Sequence, residues 1–196
     1  MPMSFGLPEG DGAVTKLADL AAAERFVIRA FRHWVAGMGR PDLAVHCAVV
    51  WNDFARDLGT ADGKAALTAF AAMIHGIARA ARRPIQCHRP CCSCLTADEF
   101  WVIRLAQAGQ DADHVLAAAL CCWLVAGPDQ PEVIRNAIAF GGLLRQHGHH
   151  LPSRHADSAT PRHRTTGAID VVPQPASPDR AGQPPNINTH DSELCG

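Results

Sequence analysis

Six successive stretches of this chain carry apolar residues at helical spacing, and that periodicity constrains the fold more than any other feature. Leu17, Leu20, Val27, Phe31, Trp34 and Met38 follow one another at intervals of three, four or seven, and Gly37 and Gly39 before Pro41 close the run. Leu43, Cys47, Val50, Trp51, Phe54 and Leu58 make a second run that stops at Gly59, a residue suited to the left-handed end of a helix. Thr60 is the expected N-cap of a third helix, whose stripe Leu67, Phe70, Ile74 and Ile77 leads to Arg79, Arg82 and Arg83 and is stopped by Pro84. Thr96 with Glu99 three residues on has the capping-box pattern for a fourth helix through Phe100, Trp101, Ile103 and Leu105 to Gly109. Asp111 is the expected cap of a fifth helix through Val115, Leu120 and Trp123, and Asp129 with Glu132 opens a sixth through Ile134, Ile138 and Leu144. No segment alternates with period two. The expectation is an all-α fold, a compact bundle of about six helices, with the four tryptophans on helices one, two, four and five.

Composition sets the boundaries. Residues 1–12, with Gly and Pro, read as a flexible arm, residues 13–147 as the helical bundle, and residues 148–196 as a tail. The tail holds half of the 14 prolines and no Phe, Trp or Met, so it is expected to be disordered: it has too little apolar surface to offset the entropy of ordering. The absence of tyrosine and an aromatic content of only 6% disfavour sandwiches and barrels. A net charge of −1 provides no global field for nucleic acid or an anionic membrane, so neither is an expected partner. The longest apolar stretch, Val115 to Gly127, falls short of the roughly 20 residues that span a bilayer. Met1 to Gly12 also lacks the basic start and apolar run of a secretory signal. A cytoplasmic location is therefore expected, in which the eight cysteines are free thiols or metal ligands before they are disulfides.

One constellation is dense in chemistry. Cys87-His88-Arg89-Pro90-Cys91-Cys92-Ser93-Cys94 places four thiols and an imidazole in eight residues, in what reads as a loop between the third and fourth helices. Zinc takes four N or S donors and iron–sulfur clusters take thiolates, so Cys87, Cys91 and Cys94 are three candidate ligands. The fourth is open among His88, Cys92, Cys121 and Cys122, with His114 a further candidate. The competing reading is thiols that only pack, which suits Cys47, Cys121 and Cys122 because free cysteine behaves as a small hydrophobe.

The spacing Cys87-x3-Cys91-x2-Cys94 resembles the His-x3-Cys-x2-Cys element of zinc-binding anti-sigma factors, which are small helical proteins, with cysteine standing where that family has histidine. The resemblance covers eight residues and implies a regulator in which thiol oxidation or metal loss shifts a helix used by a partner. The same spacing is similar to that of radical S-adenosylmethionine enzymes, but Ser93 stands where they carry an aromatic residue and no β/α barrel is legible here.

Other features read more plainly. Arg79, Arg82, Arg83 and Arg89 adjoin the cysteines without an intervening acid; they fit a solvated helix terminus, and a phosphate site is the competing reading. His147, His149, His150, His155 and His163 form a run able to collect transition metals adventitiously. His33, His46 and His75 lie on separate helices and read as packed or surface histidines, and Asp53 and Asp57 as a solvated polar face. No nucleophile elbow, P-loop, dinucleotide fingerprint or H-E-x-x-H element is present. The leading expectation is a helical regulatory or adaptor protein for an unknown protein partner, with a metal-binding or thiol redox-sensing loop. Behind it stand a metal-free interaction module and, third, a thiol or iron–sulfur enzyme.

Overall fold

The computed structural model describes residues 16–38, 43–153, 168–171 and 187–188. The described residues form an all-α bundle of six helices: α1 (Ala22–Gly37), α2 (Leu43–Leu58), α3 (Thr60–Ala80), α4 (Ala97–Gln110), α5 (His114–Leu124) and α6 (Gln130–Gln146). No helix among the described residues is long and apolar enough to cross a membrane.

Several helix starts differ from expectation, each for a local reason. The apolar run at Leu17 is not yet α-helix, because Leu17–Asp19 forms a 3-10 turn and Leu20 and Ala21 are extended. The Glu24 carboxylate then accepts from the Ala21 N–H at 2.7 Å and starts α1. Gly59, at φ 75°, is the N-cap residue of α3 rather than Thr60. Asp113 rather than Asp111 caps α5, its carboxylate accepting from the Leu116 N–H at 2.9 Å. Thr96 and Glu99 form the expected capping box of α4.

The expected loop after Pro84 begins as a strand, β1 (Ile85–His88). Ile85 and Cys87 are buried and Gln86 between them is half-exposed, but His88 is buried as well, so the four residues carry no clear alternation to stand out in the sequence. Two short pieces of the tail also depart from the expected disorder. β2 (Ala168–Val171) pairs antiparallel with β1, Cys87 opposite Ile169, and β3 (Ile187–Asn188) pairs with β2. The arm expected at 1–12 and the remaining tail, 154–167, 172–186 and 189–196, lie outside the described residues.

The core centres on α6 packed between α3 and α4. Phe140 stacks on Phe54 at 6.0 Å and tilts against Phe70 at 5.3 Å. The α4–α6 approach requires glycine: a Cβ on Gly109 would overlap the Ala137 carbonyl, and one on Gly141 would overlap backbone atoms of Gln110 and Ala106. Packed structure continues past residue 147. Gln110 donates to the His149 carbonyl at 2.6 Å and accepts from the Leu151 N–H at 2.8 Å, and the Leu151 side chain is buried.

Candidate functional site: a cysteine loop pinned by a buried ion pair

Arg32 on α1 points into the protein and is 1% exposed. A buried guanidinium is tolerated only with its charge paired and its N–H groups bonded, and here both conditions are met. Nε donates to Glu99 Oε1 at 2.6 Å and one terminal nitrogen donates to Glu99 Oε2 at 2.9 Å. The same nitrogen bonds the Cys94 carbonyl, and the other terminal nitrogen reaches the carbonyls of Cys92 at 2.5 Å and Arg89 at 3.5 Å. These contacts occupy the five N–H donors of an arginine. Burial disfavours the Arg32 charge, yet the hydrogen bond and charge of Glu99 outweigh it and hold the guanidinium above its ordinary range.

Glu99 is fully buried in the first turn of α4 and serves both ends of the cysteine segment. Oε1 accepts from the His88 N–H at 3.0 Å, and Oε2 accepts from the Thr96 N–H at 2.8 Å. Asp98 beside it accepts from the Gln86 N–H at 2.7 Å and from Arg83 at 2.8 Å. The Thr96 hydroxyl donates to the Gln86 carbonyl at 2.8 Å and accepts from the Glu99 N–H at 3.0 Å. The loop is thus threaded between one arginine and two carboxylates, with its inward backbone groups bonded.

This frame sorts the thiols. Cys87 is buried, and its thiol donates to the His88 carbonyl at 3.4 Å and faces Glu99 Oε1 at 3.6 Å. Burial, and then the Glu99 charge, push its pKa well above the ordinary thiol range, with Arg32 opposing. On the outer side Cys91 is exposed and Cys92 and Cys94 are half-exposed. The Cys92 sulfur faces both the backbone N–H and the thiol of Cys94; burial raises its pKa, while that N–H and Arg32 act in the opposite direction.

The proposed three-ligand set is therefore not gathered: Cys87 faces inward while Cys91 and Cys94 lie on the outer side. Among the described residues no group of three or more His, Cys, Asp or Glu side chains is placed to hold a metal ion. His88 is buried and held through its N–H to Glu99. Cys121 and Cys122 face the start of α6 instead, their thiols donating to the Gln130 carbonyl at 3.8 Å and to its side-chain oxygen at 3.4 Å. Burial, followed by Cys122, pushes the Cys121 pKa up to about 11. His114 is exposed at the start of α5.

The arginines are engaged rather than arrayed for an anion. Arg79 pairs with Asp129 and Glu132, Arg82 donates to the Cys122 carbonyl at 2.6 Å, and Arg83 pairs with Asp98. One expectation is corrected. Asp53 is buried and bridged to Arg29 at 2.7 Å and Arg56 at 3.0 Å, because α2 turns it toward α1. His33 and His46, on separate helices, pack against each other with their Nδ1 atoms 3.1 Å apart across α1 and α2. Of the histidine run from 147 to 163, His147 contacts Asp62 at 2.8 Å, while His155 and His163 lie outside the described residues.

Arg32 is the residue the sequence reading missed. It lies within an apolar run, between Phe31 and Trp34, and such a charge on a buried helix face is the signal available. Its partner lies 67 residues away. No protein-family model, no curated protein and no solved structure matches this chain.

Proposed function

We propose that this chain is a helical regulatory or adaptor protein whose Cys87–Cys94 loop responds to thiol oxidation. One observation carries the reading: Cys91, Cys92 and Cys94 sit on the outer side of a loop whose backbone is fixed from within by Arg32 and Glu99. A rigid frame holding accessible sulfurs lets a change at sulfur reach the frame, since the carbonyls bonded by Arg32 belong to the same residues as two of those thiols. Oxidation needs only one or two sulfurs, whereas zinc or a cluster needs donors converging on one centre, and Cys87 faces away from such a centre.

Hydrogen exchange on the full chain, reduced and after a mild hydroperoxide, tests this. The reading expects faster exchange confined to the loop and the segments bonded to it, reversed by dithiothreitol. Unchanged exchange, or a change that dithiothreitol does not reverse, contradicts it. A second reading, a plain interaction module, is favoured by Val115 and Trp123, which are 82% and 65% exposed on one face of α5. That reading expects the reduced and peroxide-treated patterns to coincide.

A further inference from the structure

Resting on the redox reading above, the geometry points to one modification: a Cys92–Cys94 disulfide that releases the N-terminal segment Lys16–Leu20 from the loop. Three observations converge on residues 92–94. The Cys92 and Cys94 thiols are near enough to act on one another electrostatically. The Cys92 and Cys94 carbonyls both turn inward to Arg32. The Ser93 carbonyl between them turns the other way and accepts from the Leu17 N–H at 2.8 Å, where Lys16 makes an antiparallel bridge with Cys94. Alternating carbonyls are the mark of extended chain, and extended chain places side chains two apart on one face.

Extended backbone also explains why oxidation has an output. Two residues of strand advance about 6.6 Å, at the upper edge of the roughly 4.4–6.8 Å between the Cα atoms of a disulfide, whose preferred value is nearer 5.5–6 Å. Closing the bond therefore shortens this segment and turns the Ser93 peptide, and its carbonyl is the acceptor that docks Leu17. Arg32 resists the change by holding the flanking carbonyls, so the strain falls on Ser93 and on the N-terminal contact. Leu20, at the end of that segment, is 3% exposed, and its undocking uncovers an apolar residue beside α1.

The chemistry balances with a hydroperoxide as oxidant. One cysteine, as thiolate, attacks a peroxide oxygen; the O–O bond breaks, and a sulfenic acid and water (or an alcohol) form. The second thiol attacks the sulfenic sulfur, the S–O bond breaks and water leaves as the S–S bond forms. Two thiols lose two electrons and two protons, and the peroxide accepts both. Burial raises the Cys92 pKa, so the reaction accelerates with rising pH.

The test is mass mapping of the full chain after hydrogen peroxide, with amide exchange at Leu17 as the conformational readout. The expected result is an intramolecular Cys92–Cys94 link and a Leu17 amide whose protection falls at least tenfold, both reversed by dithiothreitol. Both are expected to be absent in Cys92→Ser and in Cys94→Ser, each folded by circular dichroism. Reversible oxidation seated at Cys91, with Leu17 still protected, overturns this pair and leaves the redox reading standing, whereas oxidation seated only at Cys122, outside the loop on α5, overturns both. A Cys92–Cys94 link with no change at Leu17 overturns the release. A chain in which no cysteine is oxidised overturns both.

Discussion

The α4–α6 seam and the cysteine loop share α4 but are held by opposite means. Along the seam, Gly109 and Gly141 let two backbones touch, and Phe140 packs into an aromatic cluster, so stability is spread over many small apolar contacts. The loop has little apolar content of its own, and its conformation depends chiefly on the Arg32 guanidinium and the Glu99 carboxylate, which bond Arg89, Cys92, Cys94, His88 and Thr96, with Asp98 holding Gln86 beside them. A distributed contact loses a fraction when one residue changes. A loop hung on so few groups loses its frame when one of them is removed, and the same concentration makes it fit for switching: a chemical event at its sulfurs is passed to the few contacts that the frame leaves free to move.

The largest expected effect comes from breaking the pair. Glu99→Gln leaves Arg32 charged, buried and unpaired, and the expected cost is about 3–5 kcal/mol by urea unfolding. A cost below about 1 kcal/mol, the size of an exposed pair, breaks the comparison. Gly141→Ala tests the seam: its Cβ meets backbone rather than a flexible side chain, and a loss of about 1–3 kcal/mol is expected, with the cysteine reactivities unchanged. Thr96→Ala removes the α4 cap and a donor to Gln86, and about 1 kcal/mol is expected in the same measurement.

Acid sharpens the comparison by acting on neither region. Burial, then His46 and Arg29, lower the proton affinity of His33 below its ordinary value of 6.5, against Asp53, and burial with Arg79 lowers that of His75. Each histidine therefore binds its proton more readily in the unfolded chain. The stability they contribute is present above pH 6.5 and is lost as pH falls toward the lower folded values. The urea midpoint is expected to fall as pH drops below 6.5, and His33→Asn is expected to flatten that fall. An unchanged slope in the variant removes His33 from the account.

The helices were legible because each buries a stripe whose period is local; α2 begins and ends where its apolar run does, and Thr96 and Glu99 mark the start of α4 in four residues. The site was legible only in part. Eight residues rich in cysteine identify the segment, but not that Cys87 turns inward while Cys91 stays outside, since that depends on Arg32 far away in sequence. Glu99 was hidden in another way: its capping role accounts for it fully, and the same carboxylate also pairs with Arg32. β1 was missed because it is only four residues long, with Ile85, Cys87 and His88 all buried, and stands beside a proline and a cysteine run without the alternation that marks a strand.

Pulsed alkylation of the native, reduced chain, read cysteine by cysteine by mass spectrometry, tests the division of thiols most directly. If the Arg32–Glu99 frame separates inside from outside, Cys91, Cys92, Cys94 and Cys122 react in the native state, while Cys87 reacts only at the rate of global unfolding. Labelling of Cys87 as fast as Cys91 under native conditions would contradict the account, because it would mean that the loop opens without breaking the ion pair on which it is said to hang.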